Sequence, residues 1–383
     1  MKKFLALILA LVMSLSLVAC GGSKEEAKPA EQPAEQPAEE QGADFSVAMI
    51  TDYGDITDQS FNQTTYEACK AYCEANGVDF NYYKPAGDST AERVAMVEAA
   101  VDDGYTVVVM PGYAFGETIT QVADEYSDIT FIALDVGEGD LSDYTLPSNV
   151  YCAVYQEELC GYMAGYAAVK LGYTHLGFLG GMAVPAVVRY GYGFVQGADA
   201  AATETGADVT MEYVYGNQFW GDADITAYMD NWYQTLGVEV VFACGGGIYA
   251  SAAEAAAKVG GKVIGVDVDQ AAIIDGGYGD GMTVTSAMKG LAPTVEHMLT
   301  EVAAGNFANY GGKIETLGLV SGDDPAANYV QIPMESTQWS DSFSQDDYKA
   351  LVKDMFDGKI TVSNDISAMP ATSIAVNEYG NIK

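Results

Sequence analysis

The stretch FSVAMITDYGDITDQSFNQ, residues 45–63, indicates the fold most directly. An apolar run ends at Ile50, a polar loop follows, and a helix-compatible run begins near Thr64. This order predicts a strand, a loop and a helix. In open α/β sheets, ligands bind outside the carboxyl ends of the strands, where such loops lie. The loop offers carboxylates, a hydroxyl, an aromatic ring and an amide: Asp52, Asp55, Asp58, Ser60, Phe61 and Asn62.

The loop lacks the glycine spacing of dinucleotide-binding and phosphate-binding loops. Its side chains instead fit a small polar molecule with a flat face. An alternative stays open, in which the acidic residues cap the helix and Phe61 belongs to the core. We interpret Asp52 and Asp55 as turn and cap residues and retain Asp58 as a candidate ligand residue.

Apolar runs alternate with helix-compatible runs along most of the chain, which predicts βαβ units and parallel sheets. Ten strands are predicted, and that number suits two doubly wound lobes better than one. They span residues 47–50, 80–84, 106–110, 130–134, 150–154, 176–179, 210–214, 238–243, 263–267 and 283–286. A further helix is predicted over residues 345–356.

Polar or glycine-bearing segments follow several of these strands, so we expect them to meet in one polar cleft. Each segment alone has the composition of an ordinary turn. The prediction of a cleft depends on the recurrence of such segments in both lobes. The residues concerned include Asp135, Gly181, Met182, Gly245, Asp267 and Lys289.

Residues 1–20, MKKFLALILALVMSLSLVAC, combine two lysines, an apolar run and small residues before a cysteine, which predicts an export signal. The sequence LVAC followed by two glycines resembles the lipobox of bacterial lipoproteins. That resemblance implies removal of residues 1–19 and lipidation of Cys20, although an ordinary secretory signal remains the alternative. Residues 20–44 are rich in Glu, Ala, Pro and Gln and are predicted to be a disordered tether.

The formal net charge of -37 argues against nucleic-acid binding, because such a surface repels phosphate backbones. After Cys20, the remaining cysteines are interpreted as structural thiols. With only two histidines in the chain, no zinc pattern is completed. No metal, cofactor or catalytic nucleophile–base pair is therefore predicted.

Several motifs together resemble the basic membrane protein family of ABC-transporter substrate-binding lipoproteins, which includes purine-nucleoside receptors. They are DQSFNQ (58–63), FIALD (131–135), GFLGGMAVPAVVRYGYGFVQGA (177–198), VFACGGG (241–247), VIGVDVDQ (263–270) and TSAMK (285–289). The resemblance implies an α/β, type I periplasmic-binding-protein fold with three crossings between two lobes. It places residues 45–150 and 283–309 in lobe 1 and residues 151–282 and 310–335 in lobe 2. Residues 336–383 stay unassigned.

The same resemblance implies roles for individual residues. Phe61 and Phe219 correspond to rings that enclose a base, and Trp220 is an alternative second ring. Asn62 and Asp135 correspond to positions that face the base, and Asp267 and Lys289 correspond to the pair that faces the ribose. The segment GNQFWGDAD around Phe219 departs from the family pattern, which leaves the second ring and the base preference open.

The predicted function is that of a monomeric, lipid-anchored extracytoplasmic protein that delivers a nucleoside to an ABC-transporter permease. Three alternatives stay open: a different small polar ligand such as a sugar, a sensor that docks on a receptor, and a nucleoside hydrolase. Export, anchor and tether favour delivery over the others. Which nucleoside and which permease are involved is not indicated by the sequence.

Overall fold

Residues 45–382 are described by a computed structural model of the chain, and they form two largely parallel sheets. The predictions for residues 1–44, namely the signal peptide, Cys20 and the tether, lie outside the described residues. Within the described part, no helix is long and apolar enough to cross a bilayer.

The first sheet contains six parallel strands in the order β11-β5-β4-β3-β1-β2. Its strands are β1 Val47–Ile50, β2 Phe80–Tyr83, β3 Val107–Pro111, β4 Thr130–Leu134, β5 Val150–Tyr155 and β11 Lys313–Leu317. The helices that pack with it are α1 Phe61–Asn76, α2 Thr90–Asp102, α3 Phe115–Val122 and α9 Leu291–Ala303. Strands β1, β3 and β4 are buried almost throughout, which explains why they are continuous apolar runs in the sequence.

The second sheet contains seven strands in the order β12-β10-β9-β8-β6-β7-β13, with β12 antiparallel to β10. Its strands are β6 His175–Gly180, β7 Thr210–Tyr215, β8 Val240–Cys244, β9 Lys262–Asp267, β10 Thr283–Lys289, β12 Val330–Gln331 and β13 Ala375–Asn381. The remaining helices are α4 Glu157–Lys170, α5 Pro185–Thr205, α6 Ala223–Asn231, α7 Tyr249–Ala257, α8 Ala271–Tyr278 and α10 Gln345–Phe356. The predicted α/β fold with two lobes is confirmed.

The chain crosses between the two sheets three times: from β5 to α4, from β10 to α9, and from β11 to β12. The crossing segments hydrogen-bond to one another. The amide of Gln156 donates to the carbonyl of Leu317 at 3.0 Å, and the amide of Gly290 donates to that of Tyr329 at 2.7 Å. The lobes are therefore joined by adjacent chain segments that form one hinge.

Sheet membership differs from the predicted division of the lobes at three strands. Strand β10, placed in lobe 1 by the prediction, pairs with β9 in the second sheet. Strands β5 and β11, placed in lobe 2, pair with each other in the first sheet. The physical reason is that each crossing follows the end of a strand, so β5 and β10 complete their own sheets before the chain crosses.

The unassigned C-terminal segment belongs with the second sheet. Strand β13 pairs in parallel with β7. Helix α10 has the predicted bounds, and the Tyr348 hydroxyl on it accepts a hydrogen bond from the Ile332 amide at 2.9 Å.

Glycines allow α4 and α5 to pack unusually close. A Cβ on Gly161 or Gly165 of α4 would overlap backbone carbonyl oxygens of α5, and one on Gly193 or Gly197 of α5 would overlap those of α4. This close contact fixes the first turns of the two helices relative to each other.

The cysteines in the described part are free and buried: Cys69, Cys73, Cys152, Cys160 and Cys244. This burial agrees with their interpretation as structural thiols, which stays a prediction. Within residues 45–382, no cluster of His, Cys, Asp and Glu is arranged to hold a metal ion.

Candidate functional site

A cavity of about 560 Å³ lies between the lobes, at the carboxyl ends of strands from both sheets. This volume falls within the range of small-molecule pockets. Most predicted site residues line it: Asp58, Phe61, Asn62, Asp135, Phe219, Trp220, Gly245, Asp267 and Lys289.

Gly181 and Met182, which were also predicted as site residues, lie outside the cavity lining. Gly181 lies behind the ring of Phe219, and a Cβ at this position would overlap that ring. Its lack of a side chain therefore makes room for an aromatic wall, and it does not offer a contact of its own.

Lys289, the last residue of β10, is the centre of a buried charge cluster. Its Nζ lies 2.5 Å from an Asp135 oxygen, 3.5 Å from an Asp267 oxygen and 3.6 Å from a Glu157 oxygen. The second oxygen of Glu157 accepts from Nε of Arg189 at 2.7 Å. Glu157 and Arg189 were not predicted as site residues.

The carboxylates keep the lysine charged. Burial would lower the pKa of Lys289, but Asp135, Asp267 and Glu157 outweigh burial and raise it. Burial raises the pKa of Asp135 to about 6, although Lys289 opposes that rise. Three carboxylates against one lysine and one arginine leave an excess of negative charge in the cluster.

Asp135 directly follows β4, and Asp267 is the last residue of β9. Both have a left-handed backbone, with φ of 61° and 66°. Asparagine and aspartate tolerate this conformation better than most residues, whereas branched side chains do not. Each lobe thus presents one aspartate to the same lysine from an equivalent turn.

Among the described residues that line the cavity, two side-chain oxygens are buried without a hydrogen-bond donor: Asp135 Oδ1 and Asn62 Oδ1. The Asn62 amide nitrogen donates to Asp58 at 3.2 Å, which turns its oxygen away from that carboxylate. A buried acceptor without a partner is unfavourable. Both atoms therefore have an unused capacity to accept a hydrogen bond.

Asp58 lines the cavity, but its oxygens already cap helix α1. They accept from the backbone amides of Ser60, Asn62 and Gln63 at 2.9, 2.9 and 3.1 Å. The alternative interpretation of this residue as a helix cap therefore accounts for all of these contacts.

Asp52 lines the cavity too, although the sequence was interpreted as making it a turn residue. One oxygen accepts from the amides of Tyr53 and Gly54 at 2.7 and 2.6 Å, which is an Asx turn. Asp52 is therefore both a turn residue and a residue that lines the cavity. Burial raises the pKa of Asp52 to about 6.

Aromatic rings border the cavity on both lobes. Phe61 lies beneath Lys289, whose Nζ is 4.7 Å from the ring centroid, a cation–π distance. Phe219 packs against Gly181 and Gly245, and its ring is 6.2 Å from that of Tyr53 across the cleft. Trp220 is 56% exposed and lies at the rim. Of the two candidate second rings, Phe219 occupies the interior position.

Direct hydrogen bonds join the lobes beside the cavity. The Ser60 hydroxyl donates to Asp267 at 2.7 Å, and the side-chain amide of Gln270 donates to the backbone carbonyl of Gln59 at 3.1 Å. The two lobes therefore contact each other directly beside the cavity, as expected for a closed cleft.

We expect the pH dependence of stability to reveal the buried Asp52. Its pKa is about 6 in the folded protein, above the ordinary value of 3.8, so the folded state binds this proton more tightly than the unfolded state does. The free energy of unfolding then falls as pH rises through this window, by about 1–2 kcal/mol between pH 5 and 7.5 from this residue. Asp52→Asn should remove that part of the slope in urea unfolding.

Asp55→Asn is the matched control for this measurement. Asp55 is exposed and bonds Lys84 at 2.6 Å, and that bond lowers its pKa. The stabilising contribution of Asp55 is complete above its ordinary pKa of 3.8 and does not change above pH 5. The free energy of unfolding of Asp55→Asn should therefore vary with pH above 5 as it does in the parent. Equal slopes in the parent and Asp52→Asn would contradict the prediction.

Two α/β lobes, three crossings and a polar and aromatic cavity at the strand ends define a two-lobed solute-binding protein. Residues 45–353 match the family described as ABC transporter substrate-binding protein PnrA-like, and the chain belongs to that family. The predicted resemblance is thereby confirmed. The family consists of substrate-binding proteins and not of enzymes, so the prediction of a binding protein is confirmed as well.

Individual relatives agree with this result. The chain is 29% identical over 333 residues to a CD4+ T-cell-stimulating antigen of Listeria monocytogenes, which covers 82% of this chain and 87% of the relative. It is 25% identical over 336 residues to the ABC transporter nucleoside-binding protein BmpA of Lactococcus lactis subsp. cremoris, covering 83% and 89%. A solved ABC-transporter solute-binding protein from Aeropyrum pernix K1 has the same fold, with a TM-score of 0.64 at 22% identity and coverage of 84% and 88%.

Proposed function

We propose that this protein binds a purine nucleoside in the cavity between its lobes and delivers it to an ABC-transporter permease. The observation that carries the proposal is the Lys289 cluster, where one aspartate from each lobe meets a lysine beside the Phe61 ring. The name of the Lactococcus lactis relative, a nucleoside-binding protein, supports the same ligand class. The roles of the individual residues and the monomeric state are part of the proposal.

The ribose would occupy the end of the cavity that holds the charge cluster. Asp135, which the family resemblance places beside the base, is here proposed to face the ribose because it shares Lys289 with Asp267. The vicinal hydroxyls of the ribose are donors, and Asp135 Oδ1 is a buried acceptor without a donor within residues 45–382. Asp267 has a further acceptor position besides its hydrogen bonds from Ser60 and Tyr190 and its ion pair with Lys289. Hydrogen bonds from hydroxyls to ionised carboxylates are short and strong.

The base would lie between aromatic rings, Phe61 from one lobe and Phe219 from the other. Tyr53 lies too close to Phe219 for a base to enter between those two rings, because a stacked base needs about 3.5 Å on each side and the centroids are 6.2 Å apart. The Asn62 oxygen and the Asp52 carboxylate would read the edge of the base. Both are acceptors at neutral pH, which favours a base edge that carries N–H groups.

A thermal-shift screen tests the proposal. A ligand that binds only the folded protein stabilises it by RT ln(1 + [L]/Kd), about 4 kcal/mol at a thousandfold excess over Kd. We expect purine ribonucleosides to raise Tm more than free bases, pentoses or hexoses at equal concentration, because only they engage the rings and the charge cluster together. A larger rise in Tm with a hexose would show that the ligand is a sugar and not a nucleoside. Inorganic phosphate is the matched control and should not raise Tm beyond the effect of ionic strength.

We also propose that the mature protein is held on the outer face of the cell membrane by a lipid on Cys20. The support is the sequence alone: two lysines, an apolar run and the LVAC segment before two glycines. More than one acyl chain is needed for stable anchoring, which bacterial lipoprotein processing provides.

Replacing Cys20 with serine should release the protein from membranes, since serine does not accept the thioether-linked lipid. Fractionation of cells that export the parent or the variant measures the partition. A Cys69→Ser variant, which alters a buried thiol of the folded part, should stay with the membrane. Retention of both variants would disprove the anchor.

A further inference from the structure

Glu157 is the first residue of helix α4, directly after the first crossing, and its side chain is fully buried. One oxygen is bound by Arg189 at 2.7 Å. The other, Oε1, has no hydrogen-bond donor in the described part of the chain, and it lies 3.6 Å from Nζ of Lys289. Glu157 does not line the cavity, so it faces the lysine from behind.

Lys289 has three N–H donors. One is used by Asp135 at 2.5 Å, whereas Asp267 and Glu157 lie at 3.5 and 3.6 Å, beyond good hydrogen-bond length. The ammonium group therefore lies among three carboxylates and is tightly bound by one. Its distance from each carboxylate depends on the charge that each carries.

We propose that Glu157 is a positioning residue of the candidate ligand site: fixed by Arg189 through one oxygen, it attracts Lys289 with the other and so sets how strongly the lysine engages Asp135. This inference rests on the proposed ligand site. When a ligand hydroxyl bonds Asp135, the lysine has a second anion behind it and stays charged and buried.

The position of Glu157 itself is fixed by the fold. Arg189 lies in the first turns of α5, and the glycines of α4 and α5 hold the starts of these helices together. Glu157 and Arg189 therefore form a rigid pair within one lobe. Asp135 belongs to the other lobe, so the lysine is held between a fixed anion and an anion that moves when the cleft opens.

The charged groups that face Asp135 and Lys289 come from different elements: Glu157 from α4, Arg189 from α5 and Asp267 from the end of β9. Tyr155, Tyr190, Cys160 and Cys244 are the other titratable neighbours. Burial raises the pKa of each of them, so they stay neutral near pH 6. The protonation of Asp135 near neutral pH is therefore governed by the three charged groups and Lys289.

The experiment follows the titration of Asp135 in the full-length protein without ligand, by NMR of aspartate labelled with ¹³C in the carboxyl group. The Asp135→Asn variant identifies the signal. Glu157→Gln removes one negative charge and should lower the titration midpoint of Asp135. Arg189→Gln removes one positive charge and should raise it. A residue with a merely structural role would not shift the midpoint in a direction set by charge.

Glu158→Gln is the matched control, because Glu158 is the adjacent buried carboxylate and forms no ion pair with Lys289 within the described residues. Its effect on the midpoint should be much smaller than that of Glu157→Gln. An unchanged midpoint in Glu157→Gln, or an equal shift in Glu158→Gln, would overturn the proposal.

Calorimetry with a purine ribonucleoside gives the second readout. Glu157→Gln should weaken binding about tenfold, by analogy with outer-shell partners in metal sites. If Glu157→Gln does not fold, the double variant Glu157→Gln/Arg189→Gln, which keeps the net charge, replaces it. The double variant should titrate like the parent and still bind more weakly, and parent-like binding would overturn the proposal. If the parent binds no nucleoside, the proposed function fails, and the titration still decides the role of Glu157.

Discussion

Replacing Lys289 with methionine is expected to lower the free energy of unfolding by about 3–5 kcal/mol. The side chain is buried. Its removal leaves the carboxylates of Asp135, Asp267 and Glu157 with Arg189 as the only neighbouring cation among residues 45–382. Methionine fills most of the space, so the loss reports on charge more than on a cavity. Urea unfolding of the ligand-free protein at pH 7.5 measures it.

The effect should shrink as the pH is lowered to 5, because Asp135 can then take up a proton and no longer needs a cation. Lys70→Met is the control. Lys70 forms an exposed pair with Glu74 at 3.9 Å, and such pairs contribute about 0–1 kcal/mol. A loss of similar size for both variants would show that the cluster does not depend on its lysine.

The second large effect is expected on ligand affinity. Replacing Asp267 with asparagine should weaken ribonucleoside binding by about 1.5–3 kcal/mol, the contribution of a hydrogen bond to a charged group. Asparagine keeps the shape of the side chain and tolerates the left-handed backbone at this position, where φ is 66°. The change therefore tests the charge without adding backbone strain.

Calorimetry with two ligands separates the proposed roles. Asp267→Asn should reduce binding of a ribonucleoside more than binding of its 2′,3′-dideoxy analogue, which lacks the hydroxyls. Phe61→Ala should weaken both by a similar amount, about 1–3 kcal/mol by analogy with base stacking on aromatic rings elsewhere. Equal losses for the two ligands in Asp267→Asn would place the ribose away from this carboxylate.

Ten strands could be predicted from the sequence, and all of them except β2 are buried along most of their length. Buried parallel strands are continuous apolar runs that polar loops interrupt. Strands β11, β12 and β13 were not among the ten. Strand β13 is largely exposed at a sheet edge, and β12 has only two residues. Short or exposed strands bury too little surface to leave an apolar pattern in the sequence. Their pairing is decided by distant parts of the chain.

The division into lobes was harder to predict for the same reason. A strand such as β10 has the same pattern in either sheet, and only its hydrogen bonds to β9 decide its place. The prediction placed β10 with the helix that follows it. The structure shows that the crossing lies between them.

Asp267 and Lys289 could be predicted to converge because they end adjacent parallel strands of one sheet. Asp135 follows a strand of the other sheet, so its approach to them depends on the two lobes facing each other. Glu157 could not be predicted, since it begins a helix and looks like an ordinary acidic first turn. Asp52 was missed because a turn residue and a cavity residue have the same local sequence. The position of Asp52 two residues after an apolar strand was the available signal.

The three crossings also restrict how the lobes can move. A single connecting segment would allow rotation in any direction, whereas three adjacent segments linked by hydrogen bonds leave bending about one axis as the main degree of freedom. The third crossing, residues 318–329, includes Val320, which is 57% exposed. A protease that cut this crossing would leave the lobes covalently joined by the other two. In such a nicked protein, the lobes would twist more easily relative to each other while they stayed covalently joined.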